Sequence, residues 1–329
     1  MSKKNVLVLF GGGGTEHEIS QVSVKHINDV LNDDPDFQLV LVEILKDGSW
    51  GNNKNEKFSL DWEKNLINHT RREKIPIDIV IPCIHGYPGE TGDLQSFFDL
   101  ISLPYLGCNA ESSKIAFNKV TCKLWAEKIG VPTTPSVFLI DQSTSQLNIA
   151  SEFLKIHGEV VVKASNQGSS VGCYLVSTNE DLVEKIGLAF KLSPFVLIEK
   201  RLKPREIELS VYQWNNEIYA SDPGEIVCPS QFYSYEEKYS KDSKTYTLVK
   251  APDLSEKQIE LLKYYALKVF KGLKLRHLSR IDFFLDQGEI WFNEVNSFPG
   301  LTPISMFPKM MEANGHPFGQ YLRQILHTL

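Results

Sequence analysis

The chain has 329 residues, a formal net charge of -6 and a pI of about 5.8, and that length exceeds one ordinary core, so two or three domains are expected. No basic tract runs beyond a few residues and no apolar run reaches the roughly 18–20 residues needed to cross a bilayer, which argues against nucleic acid or a membrane as partner. The N-terminus shows no signal-peptide cleavage pattern, and Cys83, Cys108, Cys122, Cys173 and Cys228 are scattered without a CxxC pair, favouring reduced thiols in a cytoplasmic protein over a disulfide scaffold or zinc site.

Residues 5–10 (NVLVLF) read as a buried strand running into Gly11-Gly12-Gly13-Gly14, and a polar helix-like segment follows over residues 19–31. Strand, glycine turn and helix form a βα unit, with a ligand site beyond the strand's carboxyl end. The glycines fit neither G-x-G-x-x-G, whose third glycine position falls on Glu16, nor a Walker A loop, which needs Lys-Ser/Thr. Glu16 and Glu18 would repel a phosphate and suit an ammonium group. The positive end of the helix dipole explains such acids equally well without a ligand. Further β-like runs cover residues 37–44 and 79–84. The second runs into HGYPGETG, where three glycines and a proline surround His85 and Glu90. A helix from near Asp93, with Leu94, Phe97, Phe98 and Ile101 at helical spacing, covers the sheet. An open parallel α/β domain is expected to end near residue 115.

Residues 114–129 read as one helix carrying Lys119 and Lys123, stopped by Gly130 and Pro132. A Val-rich strand over 159–163 leads into Asn166-Gln167-Gly168-Ser169-Ser170-Val171-Gly172, and a second strand follows. Backbone N–H groups and hydroxyls on such a hairpin can cradle phosphate oxygens, with Lys163 as a point charge. Many glycine-serine hairpins are only turns, but an unpaired ammonium at the end of a valine run would be costly. Residues 195–200 form another strand, ending at Glu199-Lys200. Residues 206–214 and 217–220 can pair across Asn215-Asn216. Residues 230–247 are polar and tyrosine-rich, as expected of a mobile lid over a site. Ser255-Glu256-Lys257-Gln258 is a capping box opening a helix with Ile259, Leu262, Ala266 and Phe270 inward.

The late stretch SRIDFFLDQGEIWFNEVNSFPGLTPIS carries the clearest chemistry. Two aromatic and β-branched strands flank a turn with a glycine, which predicts an antiparallel hairpin. Pairing symmetric about Gly288 sets Asp282 opposite Glu294 and Arg280 opposite Asn296, all on one face. Opposed side chains sit roughly 4.5–5.5 Å apart at Cβ, where like charges destabilise. A divalent cation removes that penalty, since two carboxylates and an amide oxygen are hard ligands suited to Mg²⁺. A solvated polar face is the alternative, but Phe283, Leu285, Trp291 and Val295 mark a buried hairpin.

The motifs GGGGTEHEIS, HGYPGETGDLQ, VVVKASNQGSSVG, FYSYEEKYS, SRIDFFL and NEVNSFPGLTPIS, in this order and spacing, resemble the ATP-grasp ligases, and specifically the D-alanine–D-alanine ligase family. The resemblance covers nearly the whole chain. It implies an ATP-grasp fold behind the N-terminal α/β domain, divided as residues 1–115, 116–206 and 207–329, the last with the lid and metal site. It also implies ligation of two D-alanines through an acyl phosphate, for peptidoglycan synthesis, by a cytoplasmic homodimer. Asp282, Glu294 and Asn296 match the family's ligands for two Mg²⁺ ions (Mn²⁺ being possible), and Lys119 and Lys163 match its phosphate-binding lysines. Glu199 and Glu206 match residues that hold adenine and ribose, with the Lys200–Leu202 backbone at the hinge and Ser170 beside the phosphates. Arg280 and the Gly300 amide match the oxyanion site. Glu16 matches the acid that receives the first substrate's ammonium, with Ser169 and Tyr239 its partners in a set that closes the lid. His85 matches the group orienting the first substrate. Ser305 and the Met306 amide match those that bind the second substrate's carboxylate. The chain departs from the family at Phe117-Asn118-Lys119, where Met-Asp-Lys is usual, and at Pro204-Arg205-Glu206, where Gly-Arg-Glu is usual. Lys238-Tyr239 resembles the D-alanine-specific members rather than the D-lactate-using ones. D-lactate or D-serine as second substrate, another carboxylate–amine pair, and a non-catalytic ATP-binding module are the competing expectations.

Overall fold

A computed structural model describes residues 3–14, 16–228 and 244–329. Lys238, Tyr239 and most of the expected lid lie outside the described residues. Among the described residues no helix is long and apolar enough to cross a membrane.

The first sheet has the order β6-β5-β4-β3-β2-β1-β7. Strand β1 (Lys4–Gly11) lies between β2 (Phe37–Ile44) and β7 (Ile79–Cys83) and is parallel to both. Its Val6 and Val8 enter one core cluster and its Leu7 and Leu9 another. That division explains the unbroken apolar run, because both sheet faces are covered. Helix α1 (His17–Leu31) follows β1, and α2 (Asp93–Leu100) follows β7. The glycine loop and the His85 loop therefore leave adjacent parallel strands at the same edge. An antiparallel meander, β3 (Trp50–Gly51), β4 (Lys57–Leu60), β5 (Asn65–Asn68) and β6 (Glu73–Pro76), extends the sheet beyond β2. These strands are too short and too exposed to show in the sequence pattern.

Helices α3 (Ala110–Phe117) and α4 (Lys119–Lys128) replace the single helix expected over 114–129. Asn118 breaks it, leaving the helical region at ψ 108°, and its side chain accepts from the Val120 and Thr121 amides. Asparagine is a strong N-cap, and it does here what the family's usual aspartate would do.

The second sheet is antiparallel, β10-β9-β11-β8, from β8 (Ser136–Leu139), β9 (Val160–Ala164), β10 (Cys173–Val176) and β11 (Val196–Lys200), with α5 (Thr144–His157) and α6 (Asn179–Phe190) packed on it. The third runs β15-β14-β12-β16-β17, with β13 also on β12. Its members are β12 (Arg205–Trp214), β13 (Glu217–Ala220), β14 (Gly224–Val227), β15 (Tyr246–Leu248), β16 (Leu278–Asp286) and β17 (Glu289–Asn296). Helix α7 (Glu256–Gly272) opens with the expected capping box, and its Leu262, Ala266 and Phe270 are buried. Helices α8 (Met306–Ala313) and α9 (Phe318–Thr328) had no counterpart in the sequence reading. Their apolar faces share a core with Val6, Val8 and Ile27, tying the C-terminal end to the first sheet.

The β16–β17 register is Arg280↔Asn296, Ile281↔Val295 and Asp282↔Glu294, as expected. Symmetry about Gly288 fails nearer the turn. There Asp286 pairs with Glu289, and Gln287 and Gly288 form a two-residue turn at φ 50° and 86°. A bulge absorbs the difference, leaving Asn293 as the extra residue between the Phe283↔Phe292 and Asp282↔Glu294 pairs.

Candidate active site

Two adjoining cavities open where the three sheets meet. The larger, about 250 Å³, is lined by Glu16, His85, Glu90, Lys119, Ser169, Glu208, Arg280, Glu294, Asn296, Gly300 and Ser305, among others. The second, about 120 Å³, is lined by Lys119, Lys163, Ser169, Ser170, Glu199, Lys200, Leu202, Glu206 and Glu294 together with Cys173, Phe284 and Asn293. Lys119, Ser169 and Glu294 line both. Every residue the resemblance tied to the nucleotide thus borders one space, and Glu16, His85, Arg280, Gly300 and Ser305, tied to the amino-acid substrates, border the other. Met306 lines neither; its side chain is buried, and it is the first residue of α8 after the cap position Ser305.

The larger cavity is walled by loops that lock together. Glu90 accepts from the Gly86 amide at 2.9 Å and the Phe298 amide at 3.1 Å. Burial pushes its carboxyl up to about 7, only partly countered by those amides. His85 Nδ1 lies 3.2 Å from the Phe298 carbonyl, so that nitrogen carries the proton. Burial lowers the imidazole's pKa, against the opposing pull of Glu16. The ring is therefore neutral, and buried Nε2 is an acceptor with no partner among the described residues. Glu16 stands at the N-cap of α1 without capping it, and its carboxylate lies 3.9 Å from where a Gly168 side chain would begin. Across the cavity Ser305 Oγ is 2.7 Å from Thr302 Oγ1 and accepts from the Thr302 amide at 3.2 Å. The first amides of α8 lie just beyond, an arrangement suited to an anion.

Three acids lie side by side across the third sheet, since Glu208 on β12 pairs with Asp282, which pairs with Glu294. Glu208 was missed from sequence, although it alternates with Glu206. Arg280 holds the row: its Nε and an Nη each donate to Asp282 at 2.9 Å, and Nε lies 3.1 Å from Glu208. Burial works against the guanidinium, yet the Asp282 and Glu208 carboxylates outweigh it and raise its pKa. Asn296 Nδ2 donates to Asp282 at 2.9 Å, and Lys119 Nζ is 3.0 Å from Glu294. Asp282, Glu294 and Asn296 share one face and offer only oxygen ligands, a donor set that fits Mg²⁺. Among the described residues no three His, Cys, Asp or Glu side chains are grouped to hold a metal. A cation here would take its remaining ligands from another molecule.

In the second cavity Glu199 is 2% exposed, with Oε1 2.5 Å from Lys123 Nζ and Oε2 in contact with Lys163 Nζ. Burial raises its pKa, but the two lysines prevail and bring it to about 2. Its carboxylate is thus held by the two lysines, and its main chain lies between β9 and β8 in the sheet. Lys163 also stands 5.6 Å from the centroid of the Phe284 ring. Lys123, too, was missed as a site residue; its four-residue spacing from Lys119 on one helix face was the available signal.

Family models described as the D-ala D-ala ligase N-terminus and C-terminus match residues 5–108 and 124–327. A D-alanine–D-alanine ligase of Aeromonas salmonicida is 51% identical over 328 residues, 99% of each chain. The crystal structure of D-alanyl-alanine synthetase A from Vibrio cholerae superposes with a TM-score of 0.94 at 48% identity, covering 100% of this chain and 98% of that one. A D-Ala:D-Ser ligase from Enterococcus faecalis superposes at 0.87 with 27% identity, covering 99% of both.

Proposed function

The chain belongs to the D-alanine–D-alanine ligase family, and from that premise we propose that it joins two D-alanines at the expense of ATP for peptidoglycan synthesis. The observation that carries this is the junction of the two cavities at Lys119, Ser169 and Glu294. A triphosphate lying in one would present its terminal phosphorus to a carboxylate held in the other.

Glu16 and the unprotonated Nε2 of His85 receive the ammonium of the first D-alanine. Its carboxylate oxygen forms a bond to the γ-phosphorus, the bond to the bridging oxygen of ADP breaks, and an acyl phosphate results. Lys119 and Lys163 hold the phosphates, with the Ser169 and Ser170 hairpin over them. The main chain at Lys200 and Leu202 takes the adenine, with Glu199 beside it holding Lys163, and Glu206 takes the ribose. Ser305 and the first amide of α8, at Met306, hold the carboxylate of the second D-alanine. Its neutral amine attacks the acyl carbon, loses a proton, and phosphate leaves. Arg280 and the Gly300 amide face the oxygen on which negative charge develops. Asp282, Glu294 and Asn296 would hold Mg²⁺, or Mn²⁺ in its place, two ions in all. Such ions neutralise charge on the transferring phosphoryl group. Arg280 and Lys119 keep the same acids balanced otherwise.

Three units, residues 1–115, 116–206 and 207–329, each built around one of the sheets, a cytoplasmic location and a homodimer complete the proposal. ADP release measured with D-alanine, L-alanine, D-lactate and D-serine, each with Mg²⁺, tests it. D-alanine alone should support turnover by itself; no ADP at saturating D-alanine overturns the assignment. The likeness to a D-Ala:D-Ser ligase makes D-alanine mixed with D-serine the informative second arm.

A further inference from the structure

Lys123 lies on α4, one turn beyond Lys119, and is 3% exposed. Its ammonium is 2.5 Å from Glu199 Oε1 and donates to the Phe292 carbonyl at 3.3 Å. The other Glu199 oxygen meets Lys163, which walls the nucleotide cavity. Phe292 is the last paired residue before the bulge that turns Glu294 toward the site. One buried side chain thus touches the supports of two cavity groups. Burying two ammoniums against a single carboxylate is costly, and an apolar residue in the place of one would often stabilise a fold. With Lys163 alone, Glu199 would be matched charge for charge. With Lys123 added, the three groups keep one surplus positive charge, and of the two lysines only Lys163 borders the cavity.

We propose that Lys123 is a positioning residue for the nucleotide phosphates: by occupying one side of Glu199 it leaves Lys163 charge to offer the cavity. The proposal rests on the nucleotide reading above. Lys123 touches no ligand itself, and its effect should scale with the number of phosphates bound. A merely structural lysine would affect adenosine and ATP alike.

The test is calorimetric binding of ATP, ADP and adenosine, each with Mg²⁺, to the full-length wild type, Lys123→Met, and Lys123→Met combined with Glu199→Gln. In the single variant ATP affinity should fall about tenfold or more, the usual scale for a desolvated charge interaction. The ADP loss should be smaller and adenosine affinity unchanged. The double variant removes the carboxylate that would otherwise tie up Lys163, and should recover ATP affinity to within about threefold of the wild type. Parallel losses for ATP and adenosine, or a double variant no better than the single, overturn the proposal. Should Lys123→Met fail to fold, the double variant decides alone: ATP binding more than about tenfold weaker than wild type overturns it. Failure of the wild type to bind ATP would instead sink the nucleotide reading.

Discussion

Asp282 and Glu294 are register partners one step past the bulge at Asn293, and that extra residue puts both acids on the same side of the hairpin. Were Asn293 paired with Asp282 instead of bulged, Glu294 would fall opposite Ile281 with the parity of Ile290 and Phe292, which lie in the core beside Phe283. Inserting an alanine between Asn293 and Glu294 adds a second extra residue that this bulge does not absorb, and should therefore drive an unpaired carboxylate into the core, costing on the order of several kcal/mol, and abolish turnover. Asn293→Ala keeps the bulge and should leave stability within about 1 kcal/mol of wild type. Urea denaturation of both variants checks the contrast, and equal stability would show that the bulge does not set the facing of Glu294.

Glu294→Gln should lower the rate of ADP release about 100-fold or more, because a neutral amide cannot balance two cations beside transferring phosphate. The same change takes from Lys119 its partner at 3.0 Å, so nucleotide affinity should fall less than the rate does. Steady-state kinetics at saturating D-alanine separate the two effects. A wild-type rate would mean that the proposed metal site is elsewhere.

Acid stability should report the Lys123–Glu199–Lys163 cluster. The Glu199 carboxyl, ordinarily at 4.5, sits at about 2 despite burial because two ammoniums flank it. A folded-state pKa below the unfolded value contributes stability that is complete above about 4.5 and is lost as pH falls through about 2. At about 1.4 kcal/mol per pKa unit the contribution is of the order of a few kcal/mol. Glu199→Gln should flatten the stability profile between pH 4.5 and 2. An unchanged slope in that window would show that Glu199 is not held ionised by the lysines.

An added Cβ on Gly300 would lie 2.8 Å from Ser305 Oγ, so that hydroxyl would have to move. Gly300→Ala should push Ser305 off Thr302, to which it is joined at 2.7 Å, and shift the Gly300 amide. The expected result is a KM for the second D-alanine raised about tenfold, with kcat also reduced, given the sensitivity of such sites to displacements near 1 Å. Thermal melting should move little. An unaltered KM would remove Ser305 from the second-substrate site.

Elements with strong local patterns were legible in sequence. The Val-rich strands, the capping box at Ser255 and the aromatic hairpin announced themselves, and the hairpin pattern alone brought Asp282 to Glu294. The meander over residues 45–76 was not legible, because two- to four-residue strands carry no period to count. The break at Asn118 was hidden because capping depends on its ψ, not on composition. Lys123, Glu90 and Glu208 meet partners distant in the chain: Phe292, Phe298 and Arg280. Such pairings are set by packing the three sheets together, and no window of sequence contains them.

Glu90 should give the site a pH dependence of opposite sign to that of Glu199. Burial between the Gly86 and Phe298 amides raises its carboxyl from 4.5 to about 7. A raised folded-state pKa contributes stability that is complete below about 4.5 and is lost as pH rises through about 7, where the buried group must ionise. Glu90→Gln cannot ionise, so its stability should hold between pH 5 and 8 while that of wild type declines by an amount of the order of 1–3 kcal/mol. The ionised form also adds negative charge beside His85 and Glu16, which favours an ammonium ligand. D-Alanine affinity in the wild type should therefore strengthen across the same interval, and that gain should vanish in the variant. Urea melts and calorimetric D-alanine binding at pH 5 and pH 8 check both, and parallel profiles for the two proteins would rule out a Glu90 titration near neutrality.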